Sequence, residues 1–334
     1  MQGLQQLISI LGVTFPIFAL VACGFVAIRR GLLPMGAIPG LSAYILSFAL
    51  PALLFRLGIP TPIADLLDLP LILVYGGAGL ALFGLTVVLS RNERIGLKDA
   101  AFGAFVSVYP NAGFMGIPLL LALFGETGVR VILVTLLVDC FVISSTCLSI
   151  VRADGRTSAP GGIVAAAVGA LRGAAANPLL WPIAAGLLCG FAGITVPAPV
   201  GKAISMLADT ASPVALFAIG CILARQAASA TQEGSALPRK DYVPVALTKL
   251  FVHPAAIFGI GLLVQRIGLA LDDRSLIVLT LVAALPPAIN VSMLAERFGA
   301  DAGRIARIIM LATVLSFVTF TAAVWSLGVS PAAA

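Results

Sequence analysis

Hydrophobic residues run along the chain in separate stretches of about 20, divided by short segments that collect arginine, aspartate, glycine and proline. At the helical rise a stretch of that length crosses roughly 30 Å of hydrocarbon. Ten spans are predicted: Leu7–Ile28, Ile38–Arg56, Pro70–Ser90, Lys98–Phe124, Val129–Val151, Pro178–Val196, Ile204–Ala224, Val243–Arg266, Ser275–Leu294 and Ile305–Leu327. The dyad alternation of a membrane barrel is absent, so the expected class is an all-α membrane protein.

Two spans carry helix breakers at their centres. Within the apolar segment Phe102–Phe124 stands Tyr109-Pro110-Asn111-Ala112-Gly113-Phe114-Met115-Gly116-Ile117-Pro118, and within Ser275–Leu294 stands Leu285-Pro286-Pro287-Ala288-Ile289-Asn290. A backbone N–H or C=O freed in lipid costs several kcal/mol unless protein or a water-filled cavity satisfies it. Unwound backbone at that depth predicts a binding site, and here the break occurs twice.

The order of the breaks predicts a repeat. One falls in the fourth span and the other in the ninth, four spans into a second set of five. Ala49-Leu50-Pro51-Ala52-Leu53-Leu54-Phe55-Arg56-Leu57-Gly58 also aligns with Ala211-Ser212-Pro213-Val214-Ala215-Leu216-Phe217-Ala218-Ile219-Gly220, matching at Ala, Pro, Leu, Phe and Gly. After the breaks, Phe124-Gly125 through Arg130 resembles Phe298-Gly299 through Arg304. The expected organisation is a first five-helix repeat over 1–151, a cytoplasmic linker over 152–177 and a second repeat over 178–334. An odd number of spans per repeat inverts the second relative to the first.

Composition agrees with this plan. The 334 residues are 60% hydrophobic and 10% charged, which excludes a soluble domain. A net charge of +6 would suggest nucleic acid in a soluble chain, but here the basic residues gather at span ends. The connections after spans 1, 3, 5, 7 and 9, with Lys249 and Arg304 counted among them, hold 15 of the 20 lysines and arginines. Arg56, Arg130, Lys202, Arg266 and Arg274 fall on the opposite face. The positive-inside rule then places the odd-numbered loops in the cytoplasm and both termini outside, in the periplasm for a bacterial inner membrane. The start, Met1-Gln2-Gly3-Leu4, lacks a basic leader region and reads as a retained first helix, and no lipidation motif is expected. Cys23, Cys140, Cys147, Cys189 and Cys221 lie in apolar segments without CxxC spacing and read as small buried hydrophobes.

The chemistry expected at the breaks is that of an anion site. Each break begins a new half-helix, whose N-terminus carries roughly +0.5 charge and free amides. Asn111 and Asn290 add neutral donors and acceptors suited to a carboxylate, Tyr109 and Ser292 further hydrogen bonds, and Phe114 and Met115 an apolar wall. Pro110, Pro286 and Pro287 hold the backbone unwound, and Gly113 and Gly116 admit close approach to it. The competing reading is that proline and glycine merely kink packed helices.

Two intramembrane groups are candidates for ion or proton coupling, Asp139 in span 5 and His253 in span 8. The plain alternatives are a carboxylate hydrogen-bonded to a neighbouring helix and a packed histidine. Arg56, Lys249, Glu296 and Arg297 read as snorkelling residues near span ends. Thr313, Ser316, Thr319 and Thr321 are expected to hydrogen-bond between helices. One histidine permits no metalloprotease motif, and there is no nucleophile elbow or P-loop, so no enzyme activity, metal or cofactor is expected.

The run Tyr109 to Leu119 with Phe124-Gly125 resembles the signature of the auxin efflux carrier family, whose bacterial members include malate and organic-acid permeases. Pro286 to Asn290, Leu294-Ala295, Phe298-Gly299 and the Thr-rich last helix are similar to that family too. The resemblance spans essentially the whole chain. It implies a fold like that of the bile-acid/sodium symporters, with broken helices 4 and 9 crossing. It also implies a scaffold of helices 1, 2, 6 and 7, a transport domain of helices 3–5 and 8–10, and a homodimer built through helices 2 and 7. Plant members carry a long loop between the halves that this chain lacks, so auxin itself is not the expected substrate.

The expected function is carriage of small organic anions, mono- or dicarboxylates such as malate or auxin-like acids, by elevator-type alternating access. Two rivals stand beside it. One is a proton- or sodium-coupled carrier, or a cation/proton antiporter, that uses Asp139. The other is a non-transporting sensor or assembly partner with a carrier fold.

Overall fold

A computed structural model describes residues 2–154, 180–232 and 237–329. Among these residues the regular structure is helical, with one isolated β-bridge between Pro110 and Pro287. In chain order the helices are α1 (Gln2–Arg29), α2 (Ala37–Gly58), α3 (Leu69–Ser90), α4 (Leu97–Val108), α5 (Ala112–Phe124), α6 (Thr127–Ala153) and α7 (Leu180–Phe191). They continue as α8 (Ala198–Gln232), α9 (Val243–Arg266), α10 (Asp273–Ala284), α11 (Asn290–Arg297) and α12 (Ala302–Ser326).

Seven of the described helices are long and apolar enough to cross a membrane: α1, α2, α3 with the short helix before it, α6, α8, α9 and α12. The chain is a multi-pass membrane protein. Its many outward-facing large apolar side chains, among them Leu89 at 73% and Phe191 at 81% exposed, suit a lipid environment.

Several expected boundaries shift for local reasons. The eighth span coincides with α9, whereas the sixth ends early: α7 stops at Phe191, because Gly193 adopts φ +63 and the chain runs extended to Pro197. The seventh is longer than expected, running from Ala198 through Gln232. The fourth and ninth spans are each two helices, α4 with α5 and α10 with α11. Most of the expected linker over 152–177, with Arg156 and Arg172, lies outside the described residues.

Close glycine crossings join α1 to α8 and α2 to α7. Gly24 sits against the carbonyl of Phe217, and Gly220 against that of Val21, so a Cβ at either position would enter the facing backbone. Gly58 and Gly186 make the same contact between α2 and α7. Small residues at such crossings let helices pack by close backbone approach where lipid provides no hydrophobic drive. Both Gly58 and Gly220 come from the matched decapeptides.

The remaining helices surround the breaks. α3 packs on α4 and α9, α6 on α5 and α10, and α12 on α9, α10 and α11. Aspartates cap the starts: Asp68 accepts from the N–H of Leu71, Asp272 from Ser275 and Asp301 from Arg304, at 3.2, 2.7 and 2.8 Å. Gly125 and Gly299, with φ +60 and +65, turn the chain after α5 and α11 in a conformation that excludes most side chains.

Candidate functional site at the paired helix breaks

The two breaks meet. The N–H of Asn111 donates to the carbonyl of Pro286 at 2.8 Å, and the N–H of Ala288 donates to the carbonyl of Tyr109 at 3.2 Å. Pro110 and Pro287 lie opposite each other in the antiparallel bridge between these bonds. Neither proline has an N–H to lose, and the groups that the unwinding frees find partners in the other break.

The unwound stretches are shorter than expected. α4 ends at Val108, and Ala112–Gly116 already forms a π-helical turn, its start fixed by the Asn111 carbonyl accepting from Met115 and Gly116 at 3.1 Å each. Gly113, Phe114, Met115, Gly116 and Pro118 are therefore helical, and the true break is Tyr109 to Asn111. On the other side Leu285 to Ile289 is unwound and Asn290 opens α11. Widened π turns of this kind recur at functional sites.

Four helix ends converge at the pairing: the C-termini of α4 and α10, and the N-termini of α5 and α11. Helix N-termini favour anions, although at α11 the N–H groups of Val291 and Ser292 already donate to the carbonyls of Ala288 and Ile289 at 3.3 Å each.

The expected site residues are unequal. Tyr109, Pro110, Asn111, Met115, Pro286 and Pro287 are buried, Gly113 and Phe114 are partly exposed, and Asn290 is exposed at the head of α11. The Tyr109 ring packs against Phe105 of α4 with centroids 4.5 Å apart and planes tilted by 52°. Ser292 is spent locally, donating to the Ile289 carbonyl at 2.9 Å, and its oxygen lies 3.5 Å from Nε2 of Gln226 on α8. A Cβ on Gly113 would meet only Leu50 Cδ2, in ordinary contact at 4.0 Å, whereas Gly116 is packed by Leu285 and Ile132. Gly116 is thus a packing glycine that lets the breaks fit together, and only Gly113 leaves backbone open to a ligand.

Asp139 and His253 do not reach the break directly. They belong to a buried cluster beside it. The Tyr75 hydroxyl of α3 donates to the Asp139 carboxylate of α6, 3.1 and 3.2 Å from its two oxygens. The Lys249 ammonium of α9 donates to the Ala283 carbonyl at 2.9 Å and lies 3.0 Å from Nδ1 of His253. The Tyr75 and His253 rings are 6.1 Å apart. Tyr75, Asp139, Lys249 and His253 are each 1% exposed or less.

Two expectations fail here. Lys249 does not snorkel: the π turn Thr248–Val252 points it inward, onto the last-turn carbonyls of α10, where a cation opposes the negative end of the helix dipole. Nor do the α12 hydroxyls join helices, because Thr313, Ser316 and Thr321 each bond a carbonyl of their own helix, three or four residues back. Arg304, counted with the loops, is 2% exposed and donates to the carbonyls of Asp241 and Asp99 at 2.7 and 3.0 Å.

Lys249, Tyr75 and Gln226 were not expected at the site. Lys249 had a signal, being an ionisable residue well inside an apolar span. Tyr75 and Gln226 had none that spacing reveals. Among the described residues no group of three or more His, Cys, Asp or Glu side chains converges as metal ligands.

A sequence model of the family described as membrane transport protein matches residues 9–326. A protein of Rhizobium meliloti (strain 1021), provisionally named a malonate transporter, is 29% identical over 318 residues, covering 94% of each chain. Escherichia coli (strain K12) has an uncharacterized transporter, YfdV, that is 26% identical over 328 residues, covering 94% of this chain and 96% of its own.

Proposed function

The chain belongs to the auxin efflux carrier family of membrane transport proteins and is a transporter rather than an enzyme, and we propose that it carries small organic anions across a bacterial inner membrane at the paired breaks. The observation that carries this reading is the bridge itself: two broken helices joined through Asn111–Pro286 and Ala288–Tyr109, with two helix N-termini turned toward the junction. An anion with a carboxylate small enough to reach backbone amides suits that site, and Gly113, Phe114 and Asn290 supply its accessible edge. The provisional name of the Rhizobium relative favours a dicarboxylate of malonate size.

Ten spans in two inverted five-helix repeats, over 1–151 and 178–334, are the architecture in keeping with this reading. Its support is positional. Lys249 stands as far before Gly299 as Tyr75 stands before Gly125, and both belong to one cluster. The glycine crossings of α1 with α8 and α2 with α7 suit a fixed scaffold, and the helices around the breaks suit a body that moves past it with the anion, an elevator-type alternating access. Both termini would then be periplasmic, and a homodimer through the second and seventh spans, α2 and α8, would brace the scaffold.

Replacing Asn111 or Asn290 by Ala in reconstituted vesicles tests the site. A hydrogen bond to a charged group contributes about 1.5–3 kcal/mol, so malonate or malate affinity is expected to fall about tenfold or more with folding intact. Unchanged transport by both variants would overturn the assignment.

A further inference from the structure

Lys249 is an unusual occupant for its position. Its ammonium has a helix-terminal carbonyl and an imidazole nitrogen within hydrogen-bond reach and a buried carboxylate nearby. The carbonyl belongs to Ala283, three residues before Pro286, so the cation holds the end of α10 where the second break begins. Its charge therefore acts on the same piece of backbone that forms the anion site.

We propose that Lys249, Asp139, Tyr75 and His253 form a proton-coupling site, so that the carrier moves its anion together with a proton. This rests on the anion-carrier reading and adds the coupling to it. When Lys249 is protonated, its charge favours an anion at the break. By linkage the bound anion favours the proton equally, so the two travel together as symport. In the empty carrier the site returns with a neutral amine.

The geometry supplies the first leg of a proton route. His253 Nδ1 faces Lys249 Nζ at 3.0 Å, and Nε2 is buried without a partner. Lys249 in its –NH3+ form passes one proton to Nδ1, leaving an amine and an imidazolium. The imidazolium is left neutral when its Nε2 proton passes to water, which must reach this buried nitrogen as the carrier changes state. The reverse sequence reloads Lys249, with one proton taken and one released per cycle.

The neighbouring titratable groups are limited. Asp139 and Cys140 come from α6, Tyr75 from α3, His253 from α9 itself and Tyr109 from the first break. The charged residues of α4, α10 and α12, namely Lys98, Asp99, Asp273, Arg274, Arg304 and Arg307, lie in the first two turns of those helices. Asp139, held by the Tyr75 hydroxyl, is the counter-charge.

The test is malonate accumulation in proteoliposomes at pH 7 outside and pH 8 inside, with the potential clamped by valinomycin and equal potassium, and with protein-free vesicles subtracted. At one proton per anion, one pH unit drives about tenfold accumulation. Wild type is expected to approach that ratio and to ignore a sodium gradient. Lys249→Gln and Asp139→Asn are expected to lose pH-driven accumulation, and any malonate exchange they retain at equal pH is expected to need a higher malonate concentration for Lys249→Gln, because the charge that favours the anion is gone. Because either single change leaves a buried charge alone, the paired K249Q/D139N variant, neutral throughout, is measured as well and is expected to behave the same way. Exchange without a pH response in wild type, a response to sodium instead, or pH-driven accumulation by the paired variant would overturn the coupling site and leave the anion carrier standing. No exchange of any carboxylate by wild type would overturn the carrier reading, and the coupling with it.

Discussion

The N–H of Asn111 donates to the carbonyl of Pro286 over 2.8 Å, so each interrupted helix is completed by the other. The breaks are therefore mutually dependent. A change at one is expected to register in the geometry of both, and the anion site is a property of the junction.

Ala288→Pro tests that dependence. It removes the donor to the Tyr109 carbonyl, and a buried acceptor left without its partner costs about 1–3 kcal/mol. A lower melting temperature in detergent and reduced transport are expected. Ala288→Gly, which keeps the N–H, is the control; equal losses from both would show that the side chain matters and the bond does not.

The two glycines of the first break separate packing from access. A Cβ on Gly116 would stand 2.9 Å from Leu285 Cδ1 and 3.0 Å from Ile132 Cδ1, flexible ends that yield to Ala at about 1 kcal/mol and to Val at more. On Gly113 a Cβ would approach only Leu50, at 4.0 Å. Gly113→Ala should thus leave the melting temperature unchanged and weaken substrate binding, whereas Gly116→Ala should lower the melting temperature first. Melting curves with and without malonate distinguish the two.

Both breaks, and the seven described helices long and apolar enough to cross a membrane, were legible in the sequence because an apolar run of about 20 residues fits a membrane crossing, and helix breakers at its centre must interrupt the helix there. The extent of the breaks was not. Gly113, Gly116 and Pro118 read as breakers, yet a π turn absorbs Gly113 and Gly116 and Pro118 stands at the first turn of the regular helix that follows, where its missing N–H costs nothing. Asp139 and His253 were visible as ionisable residues in apolar spans. Lys249 looked like a snorkelling residue because distance from a span end says nothing about facing, and the π turn at Thr248–Val252 decides the facing. Tyr75 was invisible, since one tyrosine among leucines and glycines acquires meaning only through Asp139, 64 residues away.

Tyr75→Phe removes one hydroxyl and keeps the ring. The Asp139 carboxylate then loses a buried donor, for which about 1.5–3 kcal/mol of destabilisation is expected. In an Asp139→Asn background the same change should cost measurably less, because the bond is no longer made to a charge. Equal costs in the two backgrounds would place the effect in packing and detach Tyr75 from the carboxylate.

On the face away from the breaks, Arg130 donates to Ser275 Oγ at 2.8 Å and approaches Asp68 and Asp272 at 3.7 and 3.6 Å, tying α6 to the starts of α3 and α10. Partial burial works to raise the Asp272 carboxyl, but hydrogen bonds from Ser275 and the Arg130 charge outweigh it and hold the group below the usual carboxylate range. A carboxyl that ionises more readily in the folded protein adds stability above its unfolded pKa, and that increment is lost as the pH falls through the folded value. Asp272 is 58% exposed, so the increment is at most about 1 kcal/mol. Asp272→Asn retains an N-cap acceptor and removes only the charge. The melting temperatures of wild type and variant should accordingly differ most near pH 6–7 and converge only as the pH falls through the lowered folded value, beneath the usual carboxylate range, where both side chains become neutral. A gap that stays constant across that range would assign the contribution of Asp272 to the cap alone.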